Sequence, residues 1–200
     1  MKAVAFLSAS VLLWGLIPNL AMAMSNPREA AVSYGQMALT PKDYIDLATK
    51  KKQRGDYQGA LADYDMAIIL APNYAYAYSA RGYLKGYMLN DIQGALSDYD
   101  VVTILNPKDI TAYFFRADLK KDKLNDYQGA LAEYNMAIIL EPNYTAVYFQ
   151  RARLKYEKLN DRLGGIADMR QAAKQARANE FGYGLLQDAL KKLEEWGVRE

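Results

Sequence analysis

Two pairs of carboxylates, Asp63 with Asp65 and Asp98 with Asp100, each flank a tyrosine, and by type they are the residues best suited to move a proton. Their spacing argues against it. Residues two apart on a helix point in different directions, so neither pair converges on one atom, and the pattern predicts solvated helix faces. The run Lys50-Lys51-Lys52-Gln53-Arg54 can attract an acidic partner or an anionic lipid, but cations at the end of a helix also complement its dipole. Asn143-Tyr144-Thr145 is a chance match to the glycosylation pattern, and Gly164-Gly165 has no phosphate-loop context around it. The 200 residues contain no cysteine and no histidine. That excludes thiolate zinc sites, cysteine nucleophiles and every triad whose base is histidine. A net charge of +2 with mixed signs gives no reason to expect nucleic acid. The reading is a non-catalytic protein without metal or cofactor.

The elements that position these residues recur. The segment Asp56 to Tyr74 returns at Asp126 to Tyr144 with three changes, Asp63/Glu133, Asp65/Asn135 and Ala71/Glu141. Asp91 to Asp109 is a third copy and Asp161 to Asn179 a weaker fourth, so the copies start at 56, 91, 126 and 161. A constant period of 35 is the mark of a stacked-repeat architecture. Each repeat reads as two helices. In the second, Ala75 to Met88 forms the first helix; Asp91 caps the other, whose Ala95, Tyr99, Val102 and Thr103 fall on one face. Pro72, Pro107 and Pro142 end the second helices. Gly82, Ala117 and Ala152 hold one small slot, and Ala60, Ala95 and Ala130 another, where paired helices approach closely.

The N-terminus reads as an export signal: Lys2, an uncharged apolar stretch from Ala3 to Ile17, a break at Pro18-Asn19, and Ala21-Met22-Ala23 before a cleavage point. The alternative is an uncleaved anchor spanning Val4 to Met24, which the break and the short core disfavour. Residues 1–23 are thus assigned as signal peptide and 24–40 as a linker with a short helix from Asn26. Four repeats follow at 41–74, 75–109, 110–144 and 145–179, the last degenerate, and a C-terminal capping helix occupies 180–200.

On the residues Gly55-Asp56-Tyr57, Ala60, Tyr64, Ala67 and Pro72, and their counterparts Tyr78, Gly82, Ala95, Tyr99 and Pro107 and Tyr113, Ala117, Ala130, Tyr134 and Pro142, the chain resembles tetratricopeptide repeat (TPR) proteins of an exported bacterial type. There are two departures. The last three repeats carry an extra residue in the inner turn (Leu89-Asn90-Asp91, Leu124-Asn125-Asp126, Leu159-Asn160-Asp161), and the fourth has Met169 in the tyrosine slot and no closing proline. The resemblance implies an all-α, right-handed superhelical solenoid of antiparallel helix pairs, closed by the C-terminal helix. It implies that first helices line a concave groove, whose inward residues here are Lys52, Tyr76, Tyr83, Tyr87, Phe114, Asp118, Asp122, Phe149, Arg153 and Tyr156. Such a groove takes a peptide or helical segment of a protein partner, not nucleic acid or a small-molecule substrate. The family's clamp for chaperone C-termini would use the slots of Ile45, Thr49, Tyr83, Thr111 and Phe115, none of which is basic or an amide. The repeat wording is similar to proteins abundant in photosynthetic bacteria, which implies the periplasm or thylakoid lumen and a role in assembling an extracytoplasmic complex. The alternative is a structural repeat protein that self-associates weakly, end to end.

Overall fold

A computed structural model describes residues 39–178 and 183–198. The export signal and the helix expected from Asn26 lie outside these residues. A compact unit begins at Pro41. Its helices are α1 (Pro41–Gln53), α2 (Tyr57–Leu70), α3 (Ala75–Tyr83), α4 (Ile92–Leu105), α5 (Ile110–Lys123), α6 (Tyr127–Leu140), α7 (Thr145–Glu157), α8 (Arg162–Arg177) and α9 (Tyr183–Glu195). A π-helical turn, Leu84–Met88, extends α3. No strand occurs among the described residues, and no helix among them is long and apolar enough to cross a membrane. Each odd helix packs on the even helix after it, and each even helix on the next odd one. The result is an all-α stack of four helix pairs with α9 laid on the last.

The start of every second helix has one cause. Asp56, Asp91, Asp126 and Asp161 accept a hydrogen bond from the backbone N–H of Gly59, Gly94, Gly129 and Gly164, at 2.9, 3.0, 2.9 and 2.9 Å. This satisfies a donor that a helix N-terminus leaves open. A Cβ on any of these glycines would collide with the capping carboxylate. Gly164 is therefore a cap partner, and Gly165 fills the small slot, where a Cβ would come 2.7 Å from that of Tyr156. Prolines follow the capping residues Ala71, Asn106 and Glu141. Without one, α8 runs 16 residues where α2, α4 and α6 run 14.

The extra residue of the inner turn is absorbed at one point. In the first repeat Gly55 takes φ +80°, and the Asp56 N–H returns to the Lys51 carbonyl. In the others Asn90, Asn125 and Asn160 take φ of 55, 53 and 55°. There the N–H groups of Asp91, Asp126 and Asp161 return to Lys85, Lys120 and Lys155, one residue further back. Asparagine is the non-glycine residue that best tolerates this left-handed region. The cap and the lysine thus keep their relation although the loop has lengthened.

Every small slot is sealed: Ala60, Ala95, Ala117, Ala130 and Ala152 are fully buried. Tyr64, Tyr99 and Tyr134, with Met169 in the fourth slot, are the large side chains they pack beside.

The carboxylates read above as solvated are the main correction. Asp63, Asp98, Glu133 and Asp168 are buried. Each meets a lysine from its own pair: Lys51–Asp63 at 2.7 Å, Lys85–Asp98 at 3.0 Å, Lys120–Glu133 at 2.6 Å and Lys155–Asp168 at 2.8 Å. Arginines join successive pairs. Arg81 binds Asp98 and reaches back to Asp65 at 2.7 Å; Arg116 binds Glu133 and Asp100; Arg151 binds Asp168 and reaches Asn135 at 2.7 Å. The partly exposed Asp65 and Asp100 serve the neighbouring pair. These acids form a ladder through the stack, and its charges are committed to structure.

Candidate functional site

The face presented by the first helices is built around one aromatic cluster. Tyr83 and Tyr87, one turn apart on α3 and its π-helical extension, stack with centroids 4.9 Å apart. Phe115 of α5 stands edge-on to both, at 5.4 and 5.9 Å, and also stacks on buried Tyr99. Phe114 meets Phe115 at 5.5 Å and Tyr144 at 5.8 Å. At the other edge the Lys52 ammonium lies 5.2 Å from the Tyr83 ring centroid, a cation–π distance.

The acidic border is organised by Lys121. Its ammonium is only 9 % exposed; it donates to Gln150 at 2.9 Å and to Asp118 at 3.3 Å, and pairs with Asp122 at 3.6 Å. Asp118 also accepts a hydrogen bond from the Tyr134 hydroxyl. Burial raises the Asp118 carboxyl above the ordinary carboxylate range, although Lys121 and Tyr134 pull it back. Burial also raises the Tyr87 phenol, helped by the charges of Asp118 and Asp122, so it stays a neutral hydroxyl. Asp122 is 62 % exposed and, beyond its pairing with Lys121, faces solvent.

The structure therefore brings Lys52, Tyr83, Tyr87, Phe114, Asp118 and Asp122 together across the first three repeats. Of the other four, Arg153 alone reaches it, lining a small pocket with Lys121 and Asp122. Tyr76 is exposed at the start of α3, near Tyr74. Phe149 packs into the cluster of Met169, Ala189 and Leu193 under α9. Tyr156 stacks on Trp196 with centroids 4.0 Å apart and planes 6° from parallel. Arg153 contacts Glu157 at 3.5 Å, and Glu157 contacts Lys192 of α9 at 3.6 Å. The closing helix packs on the fourth repeat's share of this face, beside a pocket of about 40 Å³ lined by Lys121, Asp122, Arg153, Leu154, Glu157 and Lys158.

Phe115 and Lys121 belong to the site and were not assigned to it. The signal was a size change from the second repeat to the third: Phe115 occupies the slot of Ala80, and Lys121 that of Gly86. A side chain that grows where the preceding repeat has a small one has to fill the space beside it. No group of acidic residues among those described is arranged to hold a metal.

No family model matches this sequence, and no curated protein does. Solved structures do. MamA superposes with a TM-score of 0.59 at 18 % identity, over 76 % of this chain and 93 % of that one. A tetratricopeptide repeat protein from Parabacteroides merdae gives 0.63 at 19 %, over 78 % and 62 %. The first TPR of Spaghetti (RPAP3), bound to an HSP90 peptide, gives 0.55 at 19 %, over 59 % and 92 %. With the helix pairs and slots described above, these similarities define the class: the chain is a helical-repeat solenoid of tetratricopeptide type. Proteins of this fold include peptide-bound interaction modules.

Proposed function

We propose that the first-helix face of the first three repeats binds an extended or helical segment of a partner protein, without catalysis. One observation carries this: Tyr83, Tyr87, Phe115 and Phe114 form a continuous aromatic surface between a lysine edge and an acidic edge. Aromatic rings offer large contact area with few rotors, and they dominate binding hot spots. Held by neighbouring rings, they lose little freedom when a partner docks. The partner segment presents apolar side chains to the rings and a basic residue to Asp122. It is not a chaperone tail of the HSP90 kind, because Ile45, Thr49, Tyr83, Thr111 and Phe115 offer no carboxylate clamp. The N-terminal sequence supports an extracytoplasmic setting, in periplasm or thylakoid lumen, where the scaffold assists assembly of a larger complex.

The test is capture of partners from the extracytoplasmic fraction by the wild-type protein and by Tyr83→Ala/Asp122→Ala, with circular dichroism showing that the variant folds, since Asp122 is exposed and Tyr83 half-buried. Partners lost with the variant support the reading. Equal capture by both removes it.

A further inference from the structure

The opposite side of the stack carries a second pattern. Ile69, Ile104 and Ile139 are 67, 76 and 69 % exposed, and they fall 35 residues apart at one place on α2, α4 and α6. Beside them stand Met66, Val101 and Met136, of which the methionines are 37 and 41 % exposed. The next turn offers only Ala62, Ser97 and Ala132, all exposed and all uncharged. A contiguous exposed apolar strip marks an interaction surface. The acids at its margin are not available to a partner, since Asp65 is held by Arg81 and Asp100 by Arg116. In the fourth repeat the isoleucine slot holds exposed Lys174, and the strip stops.

What covers it follows from its order. Taken helix by helix, the strip reads Met/Ile, Val/Ile, Met/Ile, the same from either end, because α2 and α6 are near-copies. A closed twofold contact requires a patch that matches itself in reverse. A helix that lies on lipid carries lysine and arginine on its own polar face; α2, α4 and α6 contain neither, and Lys174 stands only where the strip ends. We propose that the exposed side of α2, α4 and α6 is the interface of a homodimer, with its twofold axis along α4 at Ile104. In this arrangement α2 of one copy lies on α6 of the other. The contact is lateral, since α9 covers the last helix pair. It leaves both first-helix faces free, so the dimer can hold two partner segments at once.

The chain has no cysteine, which makes the test free of background. In the purified protein under mild oxidation, Ile104→Cys forms a disulfide-linked dimer, because the axis brings position 104 against itself. Ile69→Cys alone stays monomeric on a non-reducing gel, but cross-links when mixed with Ile139→Cys. Light scattering finds a concentration-dependent dimer, and Ile104→Lys weakens it at least about 30-fold by placing two charges at the axis. That position is exposed, so circular dichroism remains that of the wild type. A wild type still monomeric at about 0.1 mM, an Ile104→Lys variant that dimerises equally well, or Ile69→Cys linking to itself as readily as Ile104→Cys overturns the proposal. So does vesicle binding by a monomer that Ile104→Lys abolishes, which would assign the strip to a lipid surface.

Discussion

Replacing Asp98 by asparagine separates a structural charge from a surface one. The Asp98 carboxylate is 4 % exposed. It accepts from Arg81 Nε at 2.9 Å and Nη2 at 2.5 Å and meets the Lys85 ammonium at 3.0 Å. Asparagine keeps the volume but removes the charge, leaving two cations, each 17 % exposed, around a neutral amide. Breaking a buried pair by removing one partner costs about 3–5 kcal/mol. Arg81 keeps Asp65 and both cations retain some water, so the low end, about 3 kcal/mol, applies here. Asp100 is the control. Its side chain is 60 % exposed and bonds only Arg116, so Asp100→Asn costs about 0.5 kcal/mol, as exposed pairs do. Urea unfolding followed by circular dichroism reads both, with the slope unchanged and the midpoint moved. Adding Lys85→Met to Asp98→Asn recovers part of the loss, since one unpaired cation is gone. Equal costs for the two asparagine variants, or a cost below about 1 kcal/mol for Asp98→Asn, would refute the view that the buried acids hold each helix pair together.

Three further outcomes follow from the same geometry. At Asn125, φ of 53° makes Asn125→Gly neutral or slightly stabilising, while Asn125→Val costs about 1–2 kcal/mol in thermal unfolding. Burial raises the phenols of Tyr64, Tyr87, Tyr99, Tyr134 and Tyr144. The folded state keeps these protons where an unfolded chain, titrating near pH 10, releases them. Their contribution to stability is therefore complete below about pH 10 and lost as pH rises above it. Tyrosinate absorbance should jump at the pH where helicity collapses; full titration with helices intact would contradict this. Trp196→Ala removes the ring stacked on Tyr156 and costs about 2 kcal/mol for a half-buried aromatic. Hydrogen exchange should show α9 and α7 losing protection while α1 to α4 keep theirs, as expected where each repeat contacts only its neighbours.

The helical scaffold was legible because its causes are local. An aspartate three residues before a glycine caps a helix, a proline two residues past the last turn ends one, and an alanine at a fixed slot admits its neighbour. The charge ladder is not visible within any one helix, because its partners lie 12 to 17 residues apart on different helices, whereas Asp63 and Asp65 share one. A signal was present. Arg81, Arg116 and Arg151 recur at the repeat period, as do Lys85, Lys120 and Lys155, and a solvated charge has no need to recur. The site was half legible: Lys52, Tyr83, Tyr87, Phe114, Asp118 and Asp122 were assigned to the face on which they sit. Phe149 and Tyr156 were assigned to the same floor because the helix period cannot show where a closing helix lands, and Trp196 lands on Tyr156.

The central claim is that a partner segment lies on the ring cluster of the first three repeats. Placing a photo-reactive phenylalanine analogue at Tyr83 in one variant and at Gln128, exposed on α6, in another tests it most directly. The account predicts that one partner peptide is cross-linked from position 83, and that its yield falls when Asp122→Ala is added. Cross-linking of the same partner from position 128 with none from 83 would contradict it.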